Sequence, residues 1–62
     1  VRINHASAEE LQQLQGIGPS KASAIIGYRE EHGPFQTVEE LTQVSGIGEK
    51  TLENIKDQIT VD

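Results

Sequence analysis

Two blocks of this 62-residue chain, Gly16-Ile17-Gly18-Pro19-Ser20-Lys21 and Gly46-Ile47-Gly48-Glu49-Lys50-Thr51, hold the residues best suited to chemistry, and that chemistry is the holding of an anion. Each block sets a Gly-Ile-Gly turn at the head of a segment with helical spacing. The first amides of a helix lack partners within it and carry the positive end of its macrodipole. Glycines at the turn remove the Cβ that would keep a phosphate oxygen away, while the isoleucine between them turns inward and ties the loop to a core. Lys21 and Lys50 fall in the first turn of each following helix as candidate phosphate partners, and Ser20 and Thr51 add hydroxyl donors beside them. Glu49 puts a carboxylate in the second seat, where it either points aside and favours the helix dipole or weakens that seat. A lone Gly-Ile-Gly would mean little, because turns between helices need positive φ and an isoleucine often fills a core.

Other chemistries find less support. The chain has no cysteine, so it has neither a disulfide framework nor a thiolate metal site, and either redox compartment suits it. His5 and His32 are its only imidazoles, and nothing near them has metal-ligand spacing. The pairs Glu9-Glu10, Glu30-Glu31 and Glu39-Glu40 place neighbours about 100° apart on a helix, which suits solvated and capping acids better than a metal site or an acid/base pair. No serine, histidine and acid group together, and a domain this small holds no deep pocket. The expectation is a protein that is not an enzyme, takes no small-molecule substrate and carries no cofactor.

The elements that must position the two turns repeat. A shift of thirty residues superposes Glu9, Glu10, Leu11, Gln13, Gly16, Ile17, Gly18 and Ile25 on Glu39, Glu40, Leu41, Gln43, Gly46, Ile47, Gly48 and Ile55. This predicts one domain over 1–62, with unit one at 7–28, a connector at 29–36 and unit two at 37–58. Ser7-Ala8-Glu9-Glu10 and Thr37-Val38-Glu39-Glu40 read as capping boxes opening short helices of about two turns. Leu11 with Leu14, and Leu41 with Val44, set apolar stripes of spacing three before the glycines. Pro19 suits the first position of the next helix, where Ala22, Ile25, Ile26 and Arg29 share a face; in unit two the series is Leu52, Ile55 and Ile59. Pro34 keeps Gly33 out of helix, and Phe35 is placed to plug the seam between units. The β-branched ends are expected to lie extended against the core or each other. A helical pair exposes too much apolar surface alone, but two equivalent pairs cover each other, giving an all-α domain with an approximate internal two-fold. With 34% hydrophobic residues and one Phe and one Tyr, the core must be aliphatic.

No segment has the length of a membrane span or the pattern of a signal peptide. The chain starts at Val1, which reads as a piece of something longer, so that any anchor would lie outside it. The net charge of -5 opposes a polyanionic partner. Six acids, Glu9, Glu10, Glu30, Glu31, Glu39 and Glu40, fall at helix ends remote from the turns. At about 1.5 Å of rise per residue they stand roughly 9 to 17 Å away along the axis, beyond a Debye length of about 8 Å. Two anion seats related by a two-fold match phosphates on both strands of a duplex, whose backbones share that local symmetry. About four to six phosphate contacts would give a log–log salt slope of roughly -4 to -5. No paired aromatics offer a single-strand platform, and no side chain stands out as a base reader.

Leu-x-x-Leu-x-Gly-Ile-Gly followed by a helix resembles the helix-hairpin-helix motif, and two copies resemble the paired domain that binds duplex DNA through minor-groove phosphates. Ile3-Asn4-His5-Ala6-Ser7, Gly16-Ile17-Gly18-Pro19-Ser20-Lys21-Ala22, Tyr28-Arg29-Glu30-Glu31, Gly33-Pro34-Phe35 and Val44-Ser45-Gly46-Ile47-Gly48-Glu49-Lys50 resemble the C-terminal DNA-binding domain of ComEA-type competence proteins. The likeness covers essentially the whole chain. It departs where many relatives have Asn-Ile-Asn-Thr-Ala and this chain has Arg2-Ile3-Asn4-His5-Ala6. It implies a receptor domain for double-stranded DNA at the extracytoplasmic face of a bacterial membrane, holding DNA during uptake; as an isolated domain the chain is expected to be a monomer. Two other expectations compete with it: a protein-interaction module that keeps the fold, favoured by the acidic balance and Glu49, and a DNA-holding appendage of a larger enzyme.

Overall fold

A computed structural model describes residues 1–62. The order of elements is helix α1 (Ala8–Leu11), helix α2 (Pro19–His32), a 3₁₀ helix (Val38–Gln43), helix α3 (Glu49–Ile55) and a 3₁₀ turn (Lys56–Gln58). No helix is long and apolar enough to cross a membrane.

Ser7 starts α1 by the expected capping box. Its hydroxyl accepts from the Glu10 amide at 3.2 Å, and the Glu10 carboxylate accepts from the Ser7 amide at 3.0 Å. The helix is one turn long rather than two, because the chain then tightens. Gln13 donates to Glu10 O at 3.2 Å, Leu14 to Leu11 O at 3.1 Å and Ile17 to Leu14 O at 3.1 Å, each three residues back. These successive three-residue turns, the last passing through Gly16, return Leu11, Leu14 and Ile17 to the core. All three are buried.

The corresponding helix of unit two is 3₁₀ throughout, and its capping box does not form. The Glu40 amide donates to the Thr37 carbonyl at 3.2 Å, which takes the donor that the Thr37 hydroxyl would have capped. The Glu40 carboxylate accepts instead from the Gln36 amide at 2.9 Å, one residue further back. Leu41, Val44 and Ile47 are buried as their counterparts are.

Pro19 begins α2 as expected, and the helix stops at His32, where Gly33 takes φ +87° ahead of Pro34. Arg29 lays its stem along the buried side, and its Nη1 donates to Ile3 O at 2.8 Å. Phe35 is buried and stacks on Tyr28 with ring centroids 5.2 Å apart. In unit two α3 ends at Ile55, so Ile59 does not extend the helical face; it enters the core from extended backbone (φ -126°, ψ 154°). The cause is the pairing of the chain ends. Ile3 donates to Thr60 O at 3.0 Å and Thr60 to Val1 O at 2.8 Å, a parallel bridge that draws Ile59 out of helix. Asn4 locks this corner, donating to Phe35 O (3.0 Å) and Val61 O (2.9 Å) and accepting from the Phe35 amide (2.7 Å).

The core is apolar, with no buried polar or charged residue. Five of its positions recur at the offset of thirty: Leu11 and Leu41, Leu14 and Val44, Ile17 and Ile47, Ala22 and Leu52, Ile25 and Ile55. This shared core sets the two glycine turns on one scaffold.

Candidate nucleic-acid interface

The two turns have the same backbone. Gly16 and Gly46 take φ +83° and +90°, in the left-handed region that side chains avoid. Ile17 and Ile47 are each 3% exposed and hold the turns to the core. Gly18 (φ -95°, ψ -171°) and Gly48 (φ -99°, ψ -175°) are the caps of α2 and α3, and their carbonyls accept from Ala22 at 2.9 Å and Leu52 at 3.0 Å.

Within each turn the two glycines differ in kind. Positive φ accounts for Gly16 and Gly46. Gly18 and Gly48 have extended backbone open to any residue, and a Cβ on either would meet nothing within 4 Å. Serine, asparagine or aspartate would also cap these helices better. Nothing inside the fold asks for glycine there.

Around these caps the helix amides are free. Gly18, Ser20 and Lys21 in the first turn, and Gly48, Glu49, Lys50 and Thr51 in the second, donate to no acceptor of the protein, and neither helix has a side-chain cap. Pro19 is exposed and has no amide hydrogen to offer. Ser20 is exposed and Thr51 half-buried, and neither hydroxyl makes a hydrogen bond. Lys50 is exposed. Lys21 is half-buried, with its Nζ donating to Gly16 O at 3.3 Å. The only contact of this kind is His32 Nε2 with the Glu31 carboxylate at 3.7 Å, so no carboxylate neutralises either lysine.

Of the six acids at helix ends, Glu39 lines a groove that reaches the head of α3. Glu49 is exposed, makes no hydrogen bond to the amides of α3, and lines a shallow groove with Glu39 and Glu53. Glu39 therefore shares a groove with the head of α3, because the 3₁₀ helix packs against α3. Unit one has Glu9, Pro19 and Ser23 at the matching positions, a single carboxylate. The sequence signal was present in this offset, as was the fact that Lys21 corresponds to Thr51 and Lys50 to Ser20. The approach of Lys21 to the second turn, its Cγ 3.8 Å from where a Cβ on Gly46 would stand, had no signal of its own.

Two glycine-hinged helical hairpins on a common core define the class, and the helix-hairpin-helix motif family matches residues 1–60: the chain belongs to that family. ComE operon protein 1 of Bacillus subtilis (strain 168) is 66% identical over 61 residues, covering 98% of this chain and 30% of that protein. An uncharacterized protein of Haemophilus influenzae is 52% identical over 60 residues, covering 95% of this chain and 54% of its own length. The kinesin-like protein KIF22 of Mus musculus is 54% identical over 52 residues, covering 84% of this chain and 8% of that protein. The chain thus spans about half or less of these relatives. The likeness to a ComEA-type domain extends over its whole length.

Proposed function

We propose that this domain binds double-stranded DNA without sequence preference, gripping phosphates on both sides of the minor groove with the amides that follow Gly18 and Gly48. Lys21 and Lys50 add charge, and Ser20 and Thr51 add hydroxyl donors. The observation that carries this reading is the pair of cap glycines. Their backbone is ordinary, a methyl group would find open space, and a better capping residue is forgone at both, which leaves close approach by an outside group as their use. The domain extends 24 Å at most, so both seats fall within one duplex turn of about 34 Å. The negative total is tolerated because neither lysine is neutralised and the amides are bare.

The similarity to ComE operon protein 1 supports a place in DNA uptake at the extracytoplasmic face of a bacterial membrane, reached through a segment outside residues 1–62. The domain acts by binding rather than catalysis in this reading, and as a single copy. Titration of duplex DNA into isotope-labelled protein tests it. Amide resonances from Gly16 to Lys21 and from Gly46 to Thr51 are expected to move first, with a salt slope of roughly -4 to -5. Movement confined to Glu9, Glu10, Glu39 and Glu40, or none at low salt, would favour a protein-interaction module instead.

A further inference from the structure

One side chain joins the two hairpins. Lys21 leaves the first turn of α2, and its Cγ and Cε pass 3.8 and 3.9 Å from the point a Cβ on Gly46 would occupy. Its Nζ then turns back to the Gly16 carbonyl at 3.3 Å. The stem passes beside Gly46 of the second hairpin while its root and its tip belong to the first.

The repeat gives independent support. Lys21 and its counterpart Thr51 are both half-buried, whereas Pro19, Ser20, Glu49 and Lys50 around them are exposed, so this is the sheltered position of the first turn in both copies. The seam contact is nevertheless made once. A Cβ on Gly16 would meet nothing within 4 Å, because threonine ends at its γ atoms and cannot span the gap. The longer lysine fills its half of the seam.

We propose that Lys21 is the positioning residue of this face, a strut that brackets the two hairpins and fixes the spacing of their phosphate seats. A long side chain can lay its methylenes against a neighbour while keeping its ammonium wet, and this ammonium has no carboxylate partner. Seats held at a fixed separation lose less freedom on binding one rigid duplex than seats that drift. The bearing on function rests on the DNA-binding reading; the bracket itself does not.

Three variants test it in the chain of residues 1–62. Lys21→Met keeps the stem and removes the charge, Lys21→Ala removes both, and Lys21→Thr installs the counterpart residue should Lys21→Ala fail to fold. Without DNA, the short variants are expected to shift the amide resonances of Gly46, Ile47 and Gly48, while Lys21→Met leaves them near the parent positions. Shifts that stay within unit one overturn the bracket. With duplex DNA, all variants should lower the salt slope by about 0.9, the share of one phosphate contact, and the short ones should bind several-fold more weakly than Lys21→Met. Equal affinities for the short variants and Lys21→Met would reduce Lys21 to a point charge and overturn the proposal. Should the parent protein not bind duplex DNA while the short variants still move Gly46, the functional reading fails and the bracket stands.

Discussion

Replacing Gly18 and Gly48 together by serine separates what the fold needs from what the partner needs. Both positions have extended backbone that serine adopts freely, and neither new Cβ meets an atom within 4 Å. Serine also caps a helix better than glycine by a few tenths of a kcal/mol per site. The pair should gain about 0.5 kcal/mol, or a rise in Tm of about 2 to 4 °C for a domain of this size. Binding should move the other way. The new Cβ stands in the path of the phosphate, and the new hydroxyl accepts from the amides of Ser20 or Lys21, and of Lys50 or Thr51, that the phosphate would use. Losing a charge-assisted hydrogen bond of about 1.5 to 3 kcal/mol at each seat weakens binding by roughly ten- to a hundredfold per hairpin. Thermal unfolding by circular dichroism and anisotropy of a labelled duplex at fixed salt measure the two effects. A double variant with raised Tm and parental affinity would refute the use of these amides, and a lowered Tm would refute the open space around the caps. Gly16→Ala is the contrasting control: at φ +83° it should cost about 1 to 2 kcal/mol of stability.

Other perturbations probe the scaffold and the acids. Ser7→Ala should cost about 1 kcal/mol by removing the α1 cap, whereas Thr37→Ala should be close to neutral because its hydroxyl caps nothing; chemical denaturation distinguishes them. Asn4→Ala strands the Phe35 amide and should cost about 1 to 3 kcal/mol, read as a lower Tm, with duplex affinity unchanged where the protein remains folded. Glu49→Gln removes a carboxylate from the start of α3 and should tighten duplex binding while slightly lowering stability; weaker binding would show that Glu49 assists the second seat.

Much of this molecule was legible in its residues because the informative positions obey local rules. Gly16 and Gly46 had to take positive φ, Ser7 and Glu10 sit at capping-box spacing, and Pro19 can only open a helix, and the structure shows all of these. The length of α1 was less legible: after Leu11 the chain leaves the helix through three-residue turns, so α1 is one turn long rather than two. What stayed hidden depends on partners distant along the chain. Thr37 lost its capping role to its own carbonyl in the tighter winding. Ile59 left the helix because Thr60 pairs with Val1 and Ile3, a choice no local propensity encodes. Glu39 shares a groove with Glu49, and Lys21 passes beside Gly46, only once two units have folded onto a common core.

The pairing of the first and last residues has a mechanical consequence. Val1 and Thr60 run side by side in the same direction, so tension applied to the two ends slides one segment along the other instead of peeling them apart. Under such a load the bonds from Val1 N to Gln58 O, from Thr60 N to Val1 O and from Ile3 N to Thr60 O share the force rather than failing in turn. The Asn4 side chain, gripping both Phe35 and Val61, adds a latch behind them. Stretched from its ends, the domain yields first at this clasp, and Asn4→Ala lowers the force at which it opens.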